Sequence, residues 1–236
     1  MLLSEIFNTL TYGELAHVVI GGKPAGGIQV ADYPEMITNV NIALLEIYKR
    51  YSIKTEELTL QLYDHITLYN LHSNYAASND ASEEVYKYIL DTATVTPFTD
   101  DILLITHVYD EIGDEYALND LDRVDSLYTP TQTSLQVPYP TGENTLSVIY
   151  RASPEKILLT ETDANTVTVA LPPQFLEAMV SYIAYRVFSG MNLSEGDTTA
   201  LSHYAKFEAA IALIDHKGLL NTDNNQNTKF EESGWL

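Results

Sequence analysis

Six histidines punctuate the chain: His17, His65, His72, His107, His203 and His216. A zinc site on a helix needs two of them at i and i+4 on one face, or a His-Glu-x-x-His run. Neither arrangement occurs, so these side chains read as surface or turn histidines. Gly21-Gly22-Lys23-Pro24-Ala25-Gly26-Gly27 invites a phosphate loop, but His17 stands five before Gly22, and Pro24 follows the lysine where Ser or Thr would hold a metal. Asp120-x-Asp122 begins like a calcium loop and then fails. Val124, Asp125 and Thr131 stand at the oxygen-ligand, glycine and bidentate-glutamate positions. Asp223-x-Asn225-x-Asn227 fails likewise, at Thr228 and Gly234. No Gly-x-Ser-x-Gly elbow exists, and absent cysteine removes thiolate metals, disulfides and cysteine nucleophiles. The reading is a non-enzyme with no catalytic residue, no cofactor and no metal.

Charge narrows the classes further. Thirty-three Asp and Glu face 12 Lys and Arg, a net charge of −21, on a background 45% hydrophobic. That apolar fraction, with 17 Tyr and 6 Phe, excludes disorder over the whole chain. Twelve basic residues scattered among 33 acids cannot supply phosphate binding over any large surface, which excludes a basic nucleic-acid clamp. Met1 to Phe7 has no basic lead-in, and no stretch approaches the roughly 18 apolar residues of a membrane span. Synthesis in the cytoplasm is expected.

These residues must be positioned by elements that the apolar period reveals. Leu3, Ile6, Phe7 and Leu10, then Leu15, Val18 and Val19, keep a helical spacing broken near Gly13 and suggest one or two short helices over residues 2–20. Asp32, Pro34 and Glu35 form a helix start, and Met36, Val40, Ala43, Leu44, Ile47, Tyr48 and Tyr51 share one face, predicting a helix over 33–51. The period then drops to two at Leu58, Leu60 and Leu62, and Ile66 with Leu68 beyond Asp64-His65 suggests a β-hairpin. Ser82–Leu90 favours a helical turn or two. Alternation recurs at Ile102–Tyr109, Ser134–Val137, Thr145–Ala152 and Val167–Leu171. Pro172-Pro173 then restores a helix through Val187, and Asp197 opens a last one, closed by His216, Lys217 and Gly218. From Asn221 the chain is polar until Phe230, Trp235 and Leu236.

The order of several of these segments resembles a known family. Leu146-Ser147-Val148-Ile149-Tyr150-Arg151-Ala152-Ser153-Pro154, Val169-Ala170-Leu171-Pro172, Tyr182-x-x-Tyr185-Arg186-Val187-Phe188 and Tyr204-x-x-Phe207 together resemble tailed-phage head-to-tail adaptor (connector) proteins, which include the tail tubular protein A type. The Ile37–Tyr51 helix followed by Leu58-x-Leu60-x-Leu62 is similar to the same family. Asp110–Thr133, Gly21–Gly27 and the tail from Asn221 lie outside the likeness. It implies a structural virion protein at the neck, forming a homo-oligomeric ring, usually dodecameric, below the portal. Genome DNA would pass through the lumen without specific binding. The implied partners are the portal protein, tail or nozzle proteins and further copies of the chain, with no membrane.

The expected fold is α+β, a helical bundle body with an inserted antiparallel β-rich region. The expected parts are 1–54 helical, 55–170 β-rich, 171–218 helices completing the body, and 219–236 an extended tail. Candidate interface residues are Phe230, Trp235 and Leu236, because large aromatics on a polar tether suit docking to a neighbour. Arg186, flanked by Val180, Ile183 and Val187, is a candidate structural anchor whose stem lies along an apolar seam and whose guanidinium meets a carboxylate. Two other readings compete: an acidic β-rich binding or attachment module of a virion tail, and a hydrolase with dispersed carboxylates.

Overall fold

The computed structural model describes residues 1–16, 18, 28–92, 97–191 and 194–219, with backbone alone at 194–197. Among these are four α-helices and two antiparallel sheets, an α+β fold. The chain divides into two compact units, Met1–Ile47 with Glu155–Leu236, and Tyr48–Pro154.

The first unit is helical. α1 (Leu3–Tyr12) buries Leu3, Ile6, Phe7 and Leu10, the stripe its spacing implies. It stops at Gly13, whose amide donates to the Thr9 carbonyl at 2.9 Å. A Cβ at Gly13 would lie 2.6 Å from that oxygen, so only glycine tolerates the approach. α2 (Tyr33–Arg50) starts behind a short 3₁₀ turn in which Asp32 Oδ2 accepts from the Gln29 amide at 3.0 Å. Met36, Ile37, Val40, Ala43, Leu44 and Ile47 are all buried. Asn41 adds a clamp to this unit: Nδ2 donates to the Ile157 carbonyl at 2.9 Å, and Oδ1 accepts from the Ile157 amide at 3.0 Å. α3 (Leu176–Gly190) and α4 (Ser194–His216) pack closely through Met179, Ile183, Phe207, Ile211 and their neighbours.

No strand forms over Val167–Leu171. Thr168 instead makes one bridge to Leu2, and the Leu3 amide donates to the Val167 carbonyl, so this segment holds the start of α1. Alternation over so few residues cannot distinguish a strand from a single bridge.

In the second unit, β1 (Thr55–Gln61), β6 (Thr145–Ala152) and β3 (Ile102–Tyr109) form a sheet in the order β1-β6-β3. β2 (Leu68–Asn70), β5 (Ser134–Gln136) and β4 (Tyr128–Thr131) form another, in the order β2-β5-β4. β6 buries every second residue, Leu146, Val148, Tyr150 and Ala152. The expected hairpin between β1 and β2 does not form. β1 pairs with β6 in continuous register from Thr55↔Arg151 to Gln61↔Thr145, and β2 joins the other sheet. Two tyrosines explain the redirection: the Tyr69 phenol bonds both backbone groups of Tyr63, and the Tyr88 phenol both those of Asn70. Side chains thus satisfy backbone groups that a hairpin ladder would have used. Ser82–Leu90 has no helix. Ile89 bridges Leu60 and Ala76, and Tyr88 is buried, because this stretch supplies edge cover and core.

Candidate assembly surfaces

α3 and α4 carry an aromatic seam between them. Tyr182 meets Phe207 edge to face at 5.0 Å between centroids, and Tyr185 meets Tyr204 at 5.2 Å. Such pairs add about 1 kcal/mol each beyond the area they bury. On its far side α4 exposes Leu201 and Leu213, while Leu158 and Leu159 in the same unit are also exposed. Four leucines left in water on one unit are apolar area free to be covered in an assembly.

His203 lies inside this unit rather than on its surface, contrary to the sequence reading. Its ring stacks on Phe188 at 5.0 Å with 7° between planes, and Nδ1 lies 3.2 Å from Glu14 Oε2. Lys206 Nζ donates to both oxygens of Glu14 at 3.1 Å. Burial pushes the His203 pKa down, and Lys206 adds to that, against the opposing pull of Glu14. The neutral imidazole is therefore favoured.

The second unit holds an open cleft of about 360 Å³. Leu62, Tyr116, Leu127, Val137 and Leu146 line it, and Val124 and Tyr139 stand 80% and 75% exposed at its rim. Pro138 and Pro140 bracket Tyr139, and the chain bends at Pro138 and Tyr139. The acidic turns nearby are self-satisfied. Asp110 Oδ1 accepts from the Ile112 and Asp114 amides, Asp120 Oδ1 from the Asp122 amide, and Arg123 pairs with Asp125 at 2.8 Å. Among the described residues no group of three or more His, Asp or Glu is arranged to hold a metal ion.

One carboxylate is buried for structural reasons. Asp91 accepts from the Ser78 amide at 2.8 Å, from the Ser78 hydroxyl and from the Phe98 amide at 3.0 Å. Burial works to raise its pKa, but these donors outweigh it and hold the carboxyl below the usual range. Tyr150 shows the reverse balance. Burial, with Asp101 accepting its hydroxyl at 3.0 Å, raises its pKa well above the usual phenol value.

Both units expose apolar side chains. A family model described as SU10 adaptor protein matches residues 11–228, most of the chain and parts of both units. The chain belongs to the SU10 adaptor protein family. SU10 adaptors are phage adaptors, structural proteins of the virion. A comparison with curated proteins finds no match. In this SU10 adaptor no described helix is long and apolar enough to cross a membrane.

The candidate residues fall differently in this adaptor. Phe230, Trp235 and Leu236 lie outside the described residues, as do the Gly21–Gly27 loop and His17. Arg186 is exposed on α3. Burial raises the pKa of the nearby Tyr182 phenol and the Glu46 carboxylate adds to it, while the Arg186 charge opposes both. Sequence reasoning passed over Asn41, Asp91 and Tyr139, and it read His203 as a surface or turn histidine. Only the Pro-Tyr-Pro run around Tyr139 carries a local signal. The partners of the other three are remote or depend on how neighbouring loops close.

Proposed function

We propose that this phage adaptor assembles as a ring of identical copies, twelve in the form usual for head-to-tail adaptors, beneath the portal at the neck of the virion. The observation that carries the reading is the family match over residues 11–228. In this role the chain binds the portal on one side and tail or nozzle proteins on the other, while genome DNA passes through the lumen. A net charge of −21 suits such a passage, since carboxylates lining a lumen repel phosphates and leave the duplex free to slide. The tail from Asn221 carries Phe230, Trp235 and Leu236 to a pocket on a neighbouring subunit or the portal, and the β-rich part makes the tail-proximal contacts. The role is structural rather than catalytic. Arg186 serves as a structural anchor on α3, its charge opposing the rise in the Tyr182 pKa.

Mixing the purified chain with its portal protein, followed by light scattering on the eluted complex and negative-stain imaging, tests this. Rings attached to portal are expected, and a portal that elutes free of the chain refutes the reading. Crosslinks from the β-rich part to portal alone, with none to tail components, would reverse the assigned polarity.

A further inference from the structure

The strand edges of the second unit are treated unequally. β1 is covered along its C-terminal half, where the Gln61 amide donates to Tyr88 and the Leu90 amide to Thr59, and its open half carries Glu56 and Glu57. β4 contains Pro130 and is flanked by the Leu118↔Leu127 bridge and by Asn119, which bonds Thr129. β2 has its Asn70 backbone groups taken by the Tyr88 phenol. Charge, proline and cover are the usual protections of an edge.

β3 lacks these three. Its residues 102–106, Ile-Leu-Leu-Ile-Thr, include no charge and no proline. Past them the edge is taken, the Tyr116 amide donating to the Val108 carbonyl. From 102 to 106 no described residue hydrogen-bonds to the backbone on the side away from β6. The strand has two register shifts against β6, between Ile102 and Leu104 and between Ile105 and His107. These bulges bend the edge and reset its burial to every third residue, Ile102, Ile105 and Val108, leaving Leu104 46% exposed. A bent edge limits the length of any added strand. It does not satisfy the open amides and carbonyls.

We propose that β3 accepts an extended segment of a different protein as an added strand along residues 102–106, and that this segment carries Lys or Arg at its flanks. Charge selects the occupant. Asp100 and Asp101 precede the open edge, and Asp110, Glu111 and Asp114 follow it. A second copy pairing antiparallel would lay one acidic end against the other, and a parallel copy would lay each against itself. Either arrangement places like charges opposite one another. A basic-flanked strand instead meets carboxylates at both ends, while its backbone supplies the hydrogen bonds and its apolar side chains cover Leu104. The inference needs neither a ring nor a portal, so it can fail while the ring reading stands.

The test uses the full chain and a synthetic probe, Lys-Thr-Val-Thr-Val-Thr-Lys, with amide hydrogen exchange as the readout. Exchange at residues 102–106 should slow by about tenfold at saturating probe, with other strands unchanged. The same peptide ending in Glu should protect less, and one methylated at every backbone nitrogen should not protect at all. Absence of protection by the basic probe overturns the site. Equal protection by the methylated probe means side-chain adhesion and overturns strand addition. Equal protection by the Glu-ended probe overturns the charge selection.

Discussion

Asp91 concentrates three donors on one buried carboxylate, and its removal should be felt through the whole β-rich unit. Asp91→Asn turns an acceptor oxygen into an NH₂ group facing N–H and O–H donors, which should cost about 2 kcal/mol. Denaturant titration measures it. The charge also sets an acid dependence. With a folded pKa below its ordinary 3.8, Asp91 contributes stability that is complete above that value and is lost as pH falls through the lower folded one. The variant should therefore show a shallower acid limb below about pH 4. His203 acts in the same sense by a different route. Its depressed pKa means that stability is complete above 6.5 and declines as pH drops through the folded value. His203→Phe keeps a ring on Phe188 and removes the titration, so its melting temperature should vary less with acidification. An NMR titration that places His203 above 6.5 would refute the assignment. Arg186→Ala should lower the melting temperature of the isolated chain if its stem anchors α3 along the apolar seam. An unchanged melting curve together with weaker portal binding would move Arg186 to an assembly contact.

At the scale of elements, hydrogen bonds between distant residues decide what the helices and strands hold in place. Asn41 on α2 satisfies both backbone groups of Ile157, so Asn41→Ala leaves a donor and an acceptor unpaired. A loss of about 2 kcal/mol is expected in thermal unfolding, larger than a surface substitution on the same helix would give. α2 itself was legible because Met36, Val40, Ala43, Leu44 and Ile47 repeat at helical spacing within a few turns. The neighbour of β1 was not. Leu58, Leu60 and Leu62 announce a strand with one buried face, but β6 begins at Thr145, and alternation contains no address for its partner. Ser82–Leu90 misled for a related reason: its Tyr and Glu spacing suits a helical turn, whereas Tyr88 and Ile89 are claimed by β2 and β1.

For the molecule as a whole, the acidic tail-bearing chain should separate folding from attachment. Residues 221–229 contain no apolar side chain, while Phe230, Trp235 and Leu236 follow them. Deleting 221–236 should leave the melting temperature of the isolated chain unchanged and weaken its binding to portal in a pull-down. A truncated chain that joins the portal with full affinity would refute the docking role. By itself the sequence determined the α+β class, the limits of α2, and the presence of strands at β1, β3, β5 and β6. Each of these depends on periodicity or capping within a few residues, which the chain encodes locally. It also carried the adaptor likeness, in the order of its short motifs. The tertiary structure decided the strand partners, the burial of His203 and Asp91, the exposure of Arg186 and the open edge of β3. Those depend on which distant backbone groups find each other first and which are left over, and hydrogen-bond completion across a fold has no local signature.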